Sequence, residues 1–237
     1  MKGIILAAGR GSRMGSLTID KPKCLLELRG NTLLSMQLQA FLDNGITDIG
    51  VITGYSREKL ALENIKEFYN PNWESVNMVV SLSCANEWLE SDTCIISYSD
   101  IFYDRTAVGL LTNTDAHIAI TYDPNWLALW EKRFVDPLCD AETFKINNRS
   151  EVLEIGGIPT SVNEVEGQYM GLIRFTPYSW ETAKIIFDDL SSQDRNKLHM
   201  TELLNVIASD SALQVLAIPY HGIWGEVDSP SDLNVYK

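Results

Sequence analysis

The sequence predicts an α/β fold, a single domain on a mixed, mainly parallel central sheet. Three observations lead there. Apolar runs of strand length alternate with helix-period segments through the first half of the 237 residues, and strands joined by helical crossovers must pair in parallel. Runs such as Ile4-Ile5-Leu6 and Cys94-Ile95-Ile96 are apolar at consecutive positions, as strands buried on both faces are. No Pro/Ser linker or internal repeat divides the chain, and a composition 45% hydrophobic and 22% charged belongs to a folded globule and excludes a disordered or collagenous protein.

The first expected strand is Gly3 to Ala8, followed by a glycine-rich turn and a helix from Leu33 to Asp43 that Asn44-Gly45 closes. A strand at Ile49 to Thr53, a helix from Arg57 to Phe68 ended by Pro71, and strands at Val76 to Leu82 and Cys94 to Tyr98 continue the rhythm. A helix near Val108 to Leu111 then precedes a strand at His117 to Tyr122. Residues 123–140 are rich in tryptophan and charge and read as an elaboration over the sheet. Short β segments at Phe144 to Asn147 and Val152 to Ile155 follow, with a longer strand at Gln168 to Phe175. Helices at Pro177 to Leu190 and Thr201 to Ala208, a strand at Leu213 to Ile218 and a tail at Trp224 to Tyr236 complete the chain.

Charge and spacing exclude several functions. With 32 acidic and 19 basic residues, a net charge of −13 repels nucleic acid and anionic lipid. Cys24, Cys84, Cys94 and Cys139 form no Cys-x-x-Cys pair, and His117, His199 and His221 lack ligand spacing, so a zinc site is not expected. No apolar run has membrane-spanning length, and Met1-Lys2-Gly3 leads straight into a strand without a targeting pattern; the expected compartment is the cytoplasm.

The chemistry concentrates in Leu6-Ala7-Ala8-Gly9-Arg10-Gly11-Ser12-Arg13-Met14-Gly15 and Asp20-Lys21-Pro22-Lys23. A glycine-rich turn leaving a strand can aim backbone N–H groups at a phosphate chain. The dinucleotide pattern Gly-x-Gly-x-x-Gly would need glycine where Met14 stands, and no phosphate-loop Gly-Lys-Ser/Thr occurs. Arg10, Arg13, Lys21 and Lys23 nevertheless crowd into fourteen residues of an acidic chain. That suits an anion pocket, although a solvated surface loop would carry the same cations. Asp100 follows a strand at the carboxyl end, where open α/β sheets bind ligands, and would equally cap a helix. Asp228 lies in an Asp-Ser-Pro sequence that also makes turns.

Leu6-Ala7-Ala8-Gly9-x-Gly11-x-Arg13 with Lys21-Pro22-Lys23 resembles the signature of the nucleotidyltransferases that activate sugar phosphates and phosphoalcohols. The likeness extends through Ser97-Tyr98-Ser99-Asp100 to Glu226-Val227-Asp228-Ser229-Pro230. It implies a GT-A-like domain over 1–237, with a nucleotide-binding half at 1–122 and an acceptor-binding half at 123–237. It further implies Mg²⁺ held by Asp100 and Asp228, Lys23 on the α-phosphate and the acceptor phosphate, and Arg13 on the leaving pyrophosphate. The N–H groups of Gly9, Gly11 and Ser12 would cradle the triphosphate, and backbone at Leu6, Ala7 and Ala8 would read the base. Asn77 and Ser81 resemble the phosphocholine branch. The stretch Leu129-Trp130-Glu131-Lys132-Arg133-Phe134, with Asp140, Glu142 and Gln168-Tyr169-Met170-Gly171, is similar to the CTP:phosphoglutamine cytidylyltransferases of bacterial capsule phosphoramidate biosynthesis.

The expected partners are therefore CTP and a small phosphorylated acceptor, with a homodimer as a compatible assembly. Lys132, Arg133, Asp140, Glu142 and Tyr169 are the expected acceptor residues. Glu131, Asp140 and Glu142 would hold an ammonium, while Trp126, Trp130, Tyr122 and Tyr169 would supply a cage for choline. Trp126 and Trp130 also have the four-residue spacing of core packing. A sugar-1-phosphate nucleotidylyltransferase using UTP, GTP or dTTP is the enzymatic alternative. A non-catalytic nucleotide-binding protein is another, which the joint presence of Arg13, Lys23, Asp100 and Asp228 opposes.

Overall fold

The computed structural model describes residues 1–209 and 213–236; Lys237, the end of the expected second half, lies outside the described residues. Strand β1 (Lys2–Ala7) runs up the middle of a sheet, and a small hairpin, β2 (Glu27–Leu28) with β3 (Asn31–Thr32), leads into helix α1 (Leu33–Leu42). Thr32 caps α1 by accepting the N–H of Ser35, as a residue of that type does at a helix start. Strands β4 (Ile49–Thr53) and β5 (Lys66–Tyr69) extend the sheet in parallel on one side of β1. Helices α2 (Met78–Ser83) and α3 (Asn86–Leu89) lead to β6 (Cys94–Tyr98), parallel to β1 on its other side.

The chain then makes β7 (Ile101–Tyr103), helix α4 (Arg105–Thr112), β8 (Ile118–Asp123) and helix α5 (Trp126–Arg133). A hairpin of β9 (Phe144–Ile146) and β10 (Val152–Ile155) precedes β11 (Gln168–Phe175), which enters the sheet antiparallel to both β6 and β8. Helices α6 (Pro177–Asp189), α7 (Ser192–Lys197) and α8 (Met200–Ser209) return the chain to β12 (Val215–Pro219), parallel to β8. Last come β13 (Trp224–Glu226), paired with β7, and helix α9 (Asp232–Val235). The sheet order is β12-β8-β11-β6-β1-β4-β5, mixed and mainly parallel.

Alternate residues along the strands sort into two cores, because successive side chains point to opposite faces. Ile4, Ile52, Ile96 and Ile120 pack with α2, α3, α6 and α8, whereas Ile5, Val51, Ile95 and Ala119 pack with α1, α4 and α5.

Two expected elements differ from the fold. The segment expected as a strand at Val76 to Leu82 is helix α2, started by Asn77, whose side chain accepts the N–H of Met78. A short apolar run suits either state, and the cap decides it. The expected helix from Arg57 to Phe68 is a single 3₁₀ turn followed by the edge strand β5. Phe68 draws that strand onto the sheet: a Cβ on Gly50 would lie 2.5 Å from the Phe68 ring, so the ring occupies the space that this glycine leaves open.

Phe41 of α1 is fully buried. Phe41→Ala is expected to cost about 3–5 kcal/mol, seen as a lower urea midpoint with an unchanged denaturant slope.

Candidate active site

The carboxyl ends of β1 and β6 open onto a cavity of about 320 Å³. Leu6, Ala8, Gly9, Gly11, Ser12, Arg13, Lys23, Asn77, Ser81, Asp100 and Asp228 line it, so eleven of the residues expected from the sequence come together in one place. Ala7 does not line the cavity; strand alternation turns its methyl into the core beneath α1.

After β1 the chain bends through Gly9 to Gly11 into a 3₁₀ segment at Ser12–Thr18. Gly11 has φ +67°, and a Cβ there would fall 2.8 Å from the Lys23 side chain. Only glycine meets both conditions without strain. The carbonyl of Gly11 accepts the N–H of Met14 at 3.0 Å and the Thr18 hydroxyl at 2.9 Å, which fixes the loop's shape. The far side is clamped by Tyr55, whose N–H donates to Ala8 at 3.0 Å and whose hydroxyl donates to the carbonyl of Ile19.

Lys23 follows Pro22 and is only 7% exposed. Its Nζ lies 2.9 Å from Asp100 Oδ2 and 2.5 Å from Asp228 Oδ1, while Arg13 Nη2 lies 2.5 Å from Asp228 Oδ2. Burial opposes the ammonium, yet Asp100 and Asp228 outweigh it and hold the lysine above its ordinary pKa. Asp100 is delivered by the turn after β6, which Gln37 of α1 secures by donating to the carbonyls of Tyr98 at 2.8 Å and Ile101 at 2.5 Å.

The β7–β13 ribbon brings a third carboxylate that the sequence reading missed. Glu226 is paired with Ile101, and Val227 N–H donates to the Asp100 carbonyl at 2.8 Å. Oxygens of Asp100, Glu226 and Asp228 lie within 4.8 Å of one another. Burial first, then repulsion from Asp100 and Asp228, pushes the Glu226 carboxyl up to about 8. Its signal was present in the sequence: Glu226 and Asp228 stand two apart in an extended segment and so share a side. Asp100 Oδ1 is buried with no hydrogen-bond partner. Three oxygen donors, one with unused acceptor capacity, fit a hard divalent cation.

Other cavity residues were also missed, notably Trp73 and Tyr98. Asn77 is committed at both ends, with Oδ1 capping α2 and Nδ2 donating to the Lys197 carbonyl at 2.9 Å. Ser81 Oγ accepts from Asn70 at 2.9 Å.

The acceptor residues expected from the sequence lie outside the cavity lining. Tyr169 stacks edge-on against Tyr98, with centroids 5.9 Å apart. Glu142 accepts from the Thr201 hydroxyl at 3.2 Å, and burial raises the pKa of both Glu142 and Asp140. Lys132 is exposed on α5. Arg133 is turned inward, its side chain fully covered and bound to Asp232 and Glu226, because α5 directs this position at the C-terminal segment. Trp126 and Trp130 belong to one core and Tyr122 and Tyr169 to the other, so the four do not form a cage.

A glycine loop at strand ends, backed by cations and by carboxylates suited to a divalent ion, defines a protein that handles a nucleoside triphosphate. The model of the MobA-like NTP transferase domain matches residues 3–144, and the chain belongs to that nucleotidyltransferase family. It is 35% identical to the CTP:phosphoglutamine cytidylyltransferase of Campylobacter jejuni, over 99% of this chain and 98% of that protein. Among solved structures, it resembles the inositol-1-phosphate CTP transferase from T. maritima, with a TM-score of 0.77 and 19% identity over 99% of this chain and 93% of that one. It also resembles the CTP:phosphocholine cytidylyltransferase from Streptococcus pneumoniae, with a TM-score of 0.73 and 18% identity over 99% and 96%. Among the described residues, no helix is long and apolar enough to cross a membrane.

Gly11→Ala should press on Lys23 and strain the loop. The expected outcome is at least a tenfold fall in nucleotide-dependent pyrophosphate release with a melting temperature only a few degrees lower.

Proposed function

We propose that the protein transfers CMP from CTP to a small phosphorylated acceptor and releases pyrophosphate, with Mg²⁺ as cofactor. The observation that carries this reading is the Lys23 ammonium, buried beneath the glycine loop between Asp100 and Asp228. Joining two phosphates demands positive charge around the α-phosphorus, because attacking and leaving oxygens are both anionic.

Under this reading the backbone of Gly9 to Ser12 receives the triphosphate, and Arg13 reaches it from the open side, its side chain being 69% exposed. Lys23 then offsets the charge that develops as the acceptor phosphate attacks. Its carboxylate partners keep it protonated and hold it against the wall of the cavity, so no reorganisation is needed at the moment of reaction. Asp100, Asp228 and Glu226 would hold Mg²⁺, which supplies Lewis-acid neutralisation of the phosphate oxygens. Leu6 and Ala8 border the base side together with Trp73.

We infer that the acceptor is a phosphorylated amino-acid derivative of the phosphoglutamine type. The near full-length likeness to a CTP:phosphoglutamine cytidylyltransferase supports this. So does the burial of Trp126, Trp130 and Tyr122 in the cores, which takes these three aromatic faces away from a quaternary ammonium. Glu142 and Asp140, which lie outside the cavity lining, would supply acceptors to a primary ammonium or amide only on an acceptor that extends beyond it. The activated product would serve cell-surface polysaccharide modification, as the sequence resemblance implies.

Pyrophosphate release should be fastest with CTP among CTP, UTP, GTP and dTTP, and faster with phosphoglutamine than with phosphocholine. Equal turnover of phosphocholine would sink the acceptor assignment, and a preference for UTP with a sugar 1-phosphate would replace the whole reading.

Lys23→Ala should lower kcat by about 10²-fold or more. Asp100→Asn and Asp228→Asn should remove most turnover while the proteins remain folded by circular dichroism. Near-parental kinetics in all three variants would return the loop to a surface role.

A further inference from the structure

Arg133 ends helix α5, and its side chain has no exposed surface. A buried guanidinium must have its donors met, and here acids on other elements meet them. Nε and Nη2 fork onto the Asp232 carboxylate at 3.0 and 3.4 Å, Nη1 reaches Glu226 Oε2 at 3.2 Å, and Asp140 Oδ2 lies 3.9 Å away. The rings of Trp130 and Phe134 lie 4.7 and 4.8 Å from the guanidinium carbon and hold it in place.

Asp232 does more than balance that charge. Its Oδ2 accepts the backbone N–H of Asp228 at 2.8 Å, the N–H of Ser229 at 2.7 Å and the Ser229 hydroxyl at 3.1 Å. The segment 226–232 is thus gripped by one arginine at both ends, through Glu226 and through Asp232, with Asp228 between them. Lys23 and Arg13 fix the carboxylate of Asp228 from the cavity side, and Arg133 acting through Asp232 fixes its backbone from behind. A lysine at 133 lacks the planar fork needed to bind two acids at once.

We propose that Arg133 is a positioning residue for nucleotidyl transfer: without touching substrate, it sets the places of Glu226 and Asp228 through the Arg133–Asp232 pair. The inference rests on the reading of these carboxylates as the divalent-cation site. It separates Arg133 from acceptor recognition, because a side chain enclosed by Asp232, Glu226, Trp130 and Phe134 has no open face for a substrate.

The test compares the parental protein with Arg133→Lys, Asp232→Asn and Asp228→Asn. Binding of Mn²⁺ alone is read from the loss of the free-ion electron paramagnetic resonance signal, and hydrogen exchange is followed by mass spectrometry over residues 226–232. In Arg133→Lys and Asp232→Asn, Mn²⁺ binding should weaken about tenfold, and the amides of Asp228 and Ser229 should exchange faster. In the same variants kcat should fall by about tenfold or more while the acceptor KM stays within about twofold. Asp232→Asn keeps an acceptor for the turn and removes the charge that Arg133 binds, so it carries the test if Arg133→Lys does not fold. Parental Mn²⁺ affinity and exchange in both folded variants, or a raised acceptor KM at unchanged kcat, would overturn the inference. If the parent and Asp228→Asn bind Mn²⁺ alike, the cation-site reading fails, and this inference fails with it.

Discussion

Carboxylates that repel one another have to be held together, and the surroundings of the cavity follow from that. Three carboxylates meet within 4.8 Å; at an effective dielectric of about 20, a pair of unit charges at such a distance repels by about 3 kcal/mol. The fold offsets this with Lys23 and Arg13 on the cavity side and Arg133 on the core side. Each cation then makes its own demand. Lys23 needs the space at Gly11, Arg133 needs the aromatic shelf of α5, and the ribbon of β7 and β13 has to bring Glu226 alongside the segment that carries Asp100. Burial first, and then the repulsion that remains from Asp100 and Asp228, holds the Glu226 carboxyl above its ordinary pKa.

Most of the fold was legible in the sequence because its central strands are buried on both faces and read as continuous apolar runs. Ile4-Ile5-Leu6 and Cys94-Ile95-Ile96 sit where that pattern puts them, β1 beside β6. The failures fell at the margin of the sheet. The segment around Val79 and Val80 is β-branched and short, and its helical state is decided by the Asn77 cap, which a hydropathy pattern does not register. The strand at Lys66–Tyr69 is an edge whose inward residue, Phe68, is matched to a glycine eighteen positions upstream, a tertiary fit that no local pattern encodes.

The candidate site divides along the same line. The glycine loop, Lys23, Asp100 and Asp228 were readable because their chemistry is carried by residue type and by position at strand ends. Glu226 was hidden in plain spacing, two residues before Asp228. Arg133 misled: as a cation on an aromatic helix it reads as a ligand-facing group, and only the direction of α5 against residues 226–232 reveals that its partners are internal. Asn77, expected at the nucleotide from its resemblance to the phosphocholine branch, spends its side chain on α2 and on the carbonyl of Lys197.

The pairing of β7 with β13 joins Asp100 to a segment more than a hundred residues later in the chain. Closing a loop of that length costs chain entropy, a cost that grows only slowly with length. Charge balance at the cavity therefore depends on a contact between distant parts of the chain, so loosening the β7–β13 ribbon would draw Asp228 away from Lys23 and Arg13 together.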